Sequence, residues 1–230
     1  RHLAPRQQVA EKRFGHVERG VAPQRQSPIF ASAASIEHKP LDQTHIVLGF
    51  AAPNYRDPRI YQMQVLANAL GGGMSSRLFQ EVREKRGLCY SVFAFGTSYE
   101  DVGQLGVYAA TSPDHTPELI DVTADVMLSM GRSVSEKEVA RAKAQLKTSL
   151  VMNLESASSR ADQIARQYLA FGEVPDVKKL VNRIEAVEAE NVRELAHDIF
   201  SSTRPSLSAV GQLSTLASHS DIAARFISKS

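Results

Sequence analysis

The chain has 230 residues, room for one large domain or two small ones, and its 43% hydrophobic and 23% charged residues are ordinary for a globular protein. A net charge of +2 argues against a dedicated nucleic-acid binder, which needs a strongly basic face. No apolar run approaches the ~20 residues of a membrane span, and a single cysteine, Cys89, excludes an internal disulfide framework and fits a reducing compartment.

Charge is uneven along the chain. Residues 1–26 hold six Lys/Arg against two Asp/Glu, and the remainder 21 against 23. A basic, acid-poor start is compatible with a mitochondrial transit peptide; the preferred reading is a resemblance, in which Val9–Gly15 looks like the last helix of a preceding half followed by an interdomain linker, so that residues 1–27 are the end of that half and the linker. Residues 15–27, with Gly15, Gly20, Pro23 and several Gln and Arg, read as an exposed connector. The domain proper is therefore expected over 28–230.

Ile29–Ile36 alternates weakly and gives a first strand, closed by the Glu37-His38-Lys39-Pro40 turn. Thr44–Ala52 is apolar on both faces between Ile46 and Phe50, as a central strand would be. Arg59–Leu70 carries Ile60, Met63, Val65, Leu66 and Ala69 at helical spacing and ends at Gly71-Gly72-Gly73. Three glycines in a row free the backbone for positive φ or for close approach of another segment. A short charged helix follows, with Ser75 or Ser76 as the N-cap, Glu81 and Glu84 suiting its positive end, and Gly87 stopping it.

From Leu88 to Ser98 the residues turn aromatic and β-branched. With Gln104–Thr111 beyond the Asp101/Gly103 turn, they read as an antiparallel hairpin. Ser112 and Pro113 open a helix to about Met130, and Ser135 with Glu138 forms a capping box for another. That pattern runs on to Phe171, where Gly172 ends it, with a break expected at Ser156–Ser159. Helices near Asp176–Val187 and Ala189–Ser201 and a strand at Ser206–Val210 complete the chain. The fold class is α+β: an α/β sandwich, mainly antiparallel, with helices on one face.

Several familiar chemistries fail on these residues. A phosphate loop needs Gly-Lys-Ser/Thr, but Gly73 is followed by Met74-Ser75; a dinucleotide fingerprint needs glycine where Ser76 stands. The nearest approach to His-x-x-Glu-His is His115-Thr116-Pro117-Glu118-Leu119, with leucine at the second ligand position and proline inside. It reads as a solvated first turn of a helix. The other six histidines lack ligand spacing, and His45, at a strand start, reads as capped or partly buried.

The stretch Arg83-Glu84-Lys85-Arg86-Gly87-Leu88-Cys89-Tyr90, after the glycines and behind the strand Asp42–Phe50, resembles the C-terminal half of the pitrilysin and mitochondrial processing peptidase family of zinc metallopeptidases, the inverted zincins. The likeness covers roughly residues 28–211. It implies that Arg83 and Tyr90 are the family's substrate-binding pair, with Tyr90 also catalytic as a donor to the developing oxyanion, and that Gly71, Gly72 and Gly73 contact substrate. It further implies a two-half architecture around a cavity, with zinc in the partner half and none bound by this chain.

The expected partners are a peptide or protein substrate and the zinc-bearing half, on the same polypeptide or as a separate subunit; a homo-oligomer is the other arrangement considered. A scaffold member of the same fold, like the respiratory-complex core subunits, is the rival from a different class. Cys89 is expected to be an inert buried thiol. The expected compartment is a bacterial cytoplasm, with the mitochondrial matrix as the alternative.

Overall fold

A computed structural model describes residues 3–18, 20–21, 26–174 and 176–227. Helix α1 (Leu3–Phe14) ends in a turn in which Val17 N donates to Phe14 O, and helical structure at Val9–Phe14 agrees with the sequence. Arg19 and residues 22–25 of the expected connector, Pro23 among them, lie outside the described residues.

Five strands form one sheet: β1 (Ala34–His38), β2 (Thr44–Ala52), β3 (Ser91–Ser98), β4 (Gly103–Thr111) and β5 (Ser206–Gly211). Their spatial order is β1-β5-β2-β4-β3. β2 lies in the middle, antiparallel to both β4 and β5, and only the β1–β5 pair is parallel. Between them run α2 (Ile60–Gly71), α3 (Thr116–Ser133), α4 (Glu136–Glu155), α5 (Ala157–Phe171), α6 (Val177–Glu185) and α7 (Ala189–Ser202), and α8 (His219–Ala224) follows β5. A π-helix occupies Phe79–Glu84, and one 3-10 turn at Pro113–His115 leads into α3.

Side chains alternate across the sheet. Ile46, Leu48 and Phe50 of β2 and Leu105, Val107 and Ala109 of β4 are buried. On this face Phe50 is held edge-on by Phe200 of α7 and by Phe226, with ring centroids 5.2 and 5.0 Å away. The opposite face carries His45 and Val47 of β2, Tyr108 of β4, and Phe93 and Phe95 of β3, none of them buried. Helices on one face and a partly open sheet on the other is the arrangement the pattern predicts.

Local signals explain the helix ends. Ser135 and Glu138 do form the capping box of α4. α4 stops at Glu155, and Ser156 then caps α5 by accepting from the Ser159 N–H. Gly172 ends α5 with φ of +74°.

Strand boundaries differ from expectation in both directions: β1 runs on through Glu37 and His38, which pair with Val210 and Gly211 where a turn was expected, while two strands start later than the pattern suggests. β1 begins at Ala34 rather than Ile29, because a strand exists only where a neighbour can pair with it, and β5 reaches no further than Ser206–Gly211. β3 begins at Ser91 rather than Leu88. The Leu88 carbonyl accepts from the Thr111 hydroxyl at 2.5 Å instead of from a ladder N–H.

The glycine run also differs. None of Gly71, Gly72 or Gly73 has positive φ, which is found at Gly87, Gly172 and Gly211. Gly71 serves close approach instead: a Cβ there would lie 2.2 Å from the Ala94 nitrogen of β3. Gly71→Ala should therefore destabilise the fold by about 1–3 kcal/mol, the usual cost of overpacking. Gly73→Ala meets only the flexible Gln145 amide at 3.2 Å and should stay within about 0.5 kcal/mol of wild type. Urea midpoints of the two variants check the contrast.

Candidate functional site

The site begins where α2 ends. Three successive carbonyls of the glycine loop are each held by a side chain. Gln145 Nε2 donates to Gly72 O at 2.7 Å, Ser76 Oγ to Gly73 O at 2.6 Å and Gln80 Nε2 to Met74 O at 2.7 Å. Ser76 is thus buried and turned back on the loop, and does not cap the helix that follows; that helix has no side-chain cap. The loop is fixed by these bonds rather than being a slack connector.

Arg77 anchors the next turn. Its Nε and Nη2 donate to Glu138 Oε1 and Oε2 at 2.5 and 2.8 Å. Its Nη1 reaches the Ser129 and Ser133 hydroxyls, and Nη2 also reaches the Ser133 carbonyl at 2.6 Å. Glu138 Oε2 meanwhile accepts from the Ser135 N–H and hydroxyl at 2.9 and 2.7 Å. Burial by itself would raise the Glu138 carboxyl. The bonds from Arg77 and Ser135 prevail and lower it from 4.5 to about 2.

The helix read from the sequence as ordinary is a π-helix, with Lys85 N donating to Gln80 O five residues back. Such wide turns recur at functional sites. It ends at Gly87, with φ of +62° as expected of a stop, where Gly87 N bonds Arg83 O and Leu88 N bonds Val82 O. Leu78 and Val82 face the core. Lys85 and Arg86 both pair with Glu81, at 2.5 and 3.0 Å, and pull its carboxyl down.

Arg83 is left with rings instead of acids. Its Cζ lies 4.7 Å from the Phe79 ring centroid and 5.3 Å from that of Tyr90, within cation–π range of both. Among the described residues no carboxylate pairs with it. Tyr90 is 72% exposed, and its hydroxyl has no hydrogen bond among the described residues. The two residues that the sequence brings forward, seven positions apart, do meet at one spot. Gly71–Gly73 sit at the entrance to the same π-helix, and among the described residues no hydrogen bond joins them to the Arg83–Tyr90 pair.

Cys89 is buried between these two neighbours in sequence. Burial raises its thiol above the ordinary value, with the Arg83 charge opposing weakly. Past Tyr90 the chain enters β3, and an aromatic strip continues across the open sheet face. Phe93 stacks on Tyr108 with centroids 4.9 Å apart, and His45 Nδ1 is 2.8 Å from the Tyr108 hydroxyl. The half-buried, hydrogen-bonded His45 agrees with its reading from sequence.

Among the described residues there is no group of three or more His, Cys, Asp or Glu able to hold a metal ion. His115 lies in the 3-10 turn and Glu118 in the first turn of α3, with Leu119 buried, so these residues do not fit zinc. No described helix is long and apolar enough to cross a membrane.

Sequence comparison identifies the frame in which this pair sits. Residues 6–146 match the family model described as the peptidase M16 inactive domain. The chain belongs to the peptidase M16 family. It is 36% identical over 192 residues to the "uncharacterized zinc protease YmxG" of Bacillus subtilis, covering 83% of this chain and 47% of that protein. It is 39% identical over 173 residues to an "uncharacterized zinc protease" of Streptomyces coelicolor, covering 75% and 38%. The chain thus spans about half or less of the length of these M16 relatives. Among solved structures, a chain of "Complex III2 from Candida albicans, Inz-5 bound" superposes with a TM-score of 0.83 at 21% identity, over 92% of this chain and 53% of that one. At that identity the likeness is one of fold.

Sequence reasoning missed the Arg77–Glu138 clamp. Glu138 was visible as a capping residue, but nothing in the spacing announces a partner 61 residues away. Glu138→Gln should cost about 1–2 kcal/mol, since charged hydrogen bonds contribute about 1.5–3 kcal/mol and partial solvent access trims that. Because the folded carboxyl titrates at about 2 rather than 4.5, its contribution is full above about pH 4.5 and fades as pH falls towards 2. Chemical denaturation between pH 2 and 6 should show wild type and variant converging at the acid end.

Proposed function

We propose that this M16 inactive domain is the substrate-binding half of a two-half zinc peptidase, closing a cavity opposite a zinc-bearing half that supplies the hydrolytic chemistry. The observation that carries this reading is Arg83, stacked between Phe79 and the exposed Tyr90 with no carboxylate partner among the described residues. The other basic residues of that segment, Arg77, Lys85 and Arg86, are all paired. A guanidinium kept by rings retains its N–H donors for a peptide carbonyl or carboxylate. An exposed phenol can donate to a carbonyl oxygen on which negative charge develops. In this reading Gly72 and Gly73 of the glycine loop run along the bound peptide, Gly71, buried against β3, only positions them, and residues 1–27 are the end of a preceding half and the linker between the two halves. The single cysteine, buried and free, supports a reducing bacterial cytoplasm as the compartment.

The assembled two-half enzyme tests the pair. Tyr90→Phe removes one hydroxyl from an exposed side chain, so stability should hold while kcat falls on the order of 10²–10³, the usual loss for an oxyanion donor. Arg83→Ala removes a charge-assisted contact worth roughly 1.5–3 kcal/mol. If it holds substrate equally in ground and transition states, the loss appears mainly as a raised KM. Zinc content should be unchanged in both variants. Wild-type kinetics from either one, at unchanged stability, would remove that residue from the site and move the reading to a scaffold.

A further inference from the structure

At the end of α2 remote from the glycine loop, a cleft opens between α2, α5 and α6. It has two lobes, of about 630 and 400 Å³, which share Tyr55, Ile60, Tyr61, Phe171 and Arg183. Its walls are aromatic: Tyr55 meets Phe171 edge-on with centroids 5.2 Å apart, and the Arg183 guanidinium lies 5.8 Å over the Tyr61 ring. The α2 residues that line it run from Ile60 to Gln64, so the cleft stands about 10–17 Å along the helix axis from Gly71.

The charges there are unbalanced. Arg183 lines both lobes and Lys179 lines the second, and neither pairs with a carboxylate of the described residues. Asp57 of the first lobe is spent on Arg59, which holds it with Nε and Nη2 at 3.2 and 3.0 Å. Arg56 is likewise taken up by Glu100 at 2.7 Å. Glu173 is the one carboxylate lining the second lobe, and it pairs with neither cation. That lobe is also lined by Gln167, whose Oε1 is buried with no hydrogen-bond partner. A buried amide oxygen without a donor is costly unless something supplies one.

We propose that this cleft binds the free C-terminal end of a peptide whose last residue is apolar or aromatic. Such an end offers three matching groups. Its carboxylate meets Arg183 and Lys179, its side chain fills the space between Tyr61 and Phe171, and its amide N–H donates to Gln167 Oε1 once that partly exposed side chain turns the oxygen into the lobe. Pockets with apolar walls and a few convergent polar groups are the usual form of a ligand site, and a guanidinium favours a carboxylate over a neutral amide. The proposal stands apart from the Arg83–Tyr90 reading and uses none of its residues.

The purified chain can be titrated with N-acetyl-Ala-Phe and with its C-terminal amide, following 15N–1H shifts. The acid should move resonances of α2 and α6 and bind at least about tenfold more tightly than the amide. Arg183 is exposed, so Arg183→Met should leave the melting temperature unchanged while weakening the acid by about tenfold or more. Gln167→Leu should weaken acid and amide alike. Equal binding of acid and amide by the wild-type chain, shifts confined to other helices, or unchanged affinity in Arg183→Met would each overturn the proposal.

Discussion

The bond between Arg77 and Glu138 is the constraint on which the rest of the site depends. One carboxylate closes the capping box of α4, takes both Nε and Nη2 of Arg77, and so ties the start of the π-helix to α4. Ser129 and Ser133 bring α3 into the same knot. A partly buried ion pair is a poor source of net stability unless its remaining polar atoms are satisfied. Here they are satisfied by hydroxyls and backbone, so the clamp fixes geometry at modest cost. Arg83, six residues on, inherits its position from that anchor and from the buried Leu78 and Val82.

The wide helical turn then divides the charges. A segment carrying Arg77, Glu81, Arg83, Glu84, Lys85 and Arg86 reads as a solvated face, and most of it pairs internally. Glu81 absorbs Lys85 and Arg86, and Glu138 absorbs Arg77. Arg83 is directed instead between Phe79 and Tyr90. Rings hold a guanidinium without consuming its hydrogen-bond donors, whereas an acid would consume them. The difference between a structural and an available arginine in this segment is therefore the chemistry of the neighbour.

Much of this was legible because the signals are local. The doubly apolar run Ile46–Phe50 marks a central strand, and Ser135 with Glu138 marks a helix start. Ser156 marks the break between α4 and α5, and Gly172 the end of α5. Each depends on a few adjacent residues, and each stands where the sequence puts it. What was not legible depends on distant partners. The start of β1 is set by the length of β5, and that of β3 by the Thr111 hydroxyl. The role of Gly71 is set by the backbone of Ala94, so three glycines suggested freedom where the fold uses closeness. Residue counting within the π-helix gives no hint of its wider turn. Helix α8 carried no signal strong enough to predict, yet Phe226 just beyond it closes the core against Phe50.

α2 links the two regions of chemical interest, and its packing limits how they could communicate. Seven of its twelve residues are buried, and at its C-terminal end Gly71 abuts β3 with no room for a methyl group. Close-packed elements of this kind move as units or not at all. No glycine or proline interrupts α2 before Gly71, so a ligand held by Arg183 finds no hinge through which to reshape the Arg83–Tyr90 pair. Coupling through shape would require a second arrangement of α2 against the sheet, and the contact between Gly71 and Ala94 leaves little space for one. A peptide end held in the cleft would act by retention, raising the local concentration of the rest of that peptide near the domain. That is a weaker demand on the fold than allostery, because it needs no movement of α2 against β3.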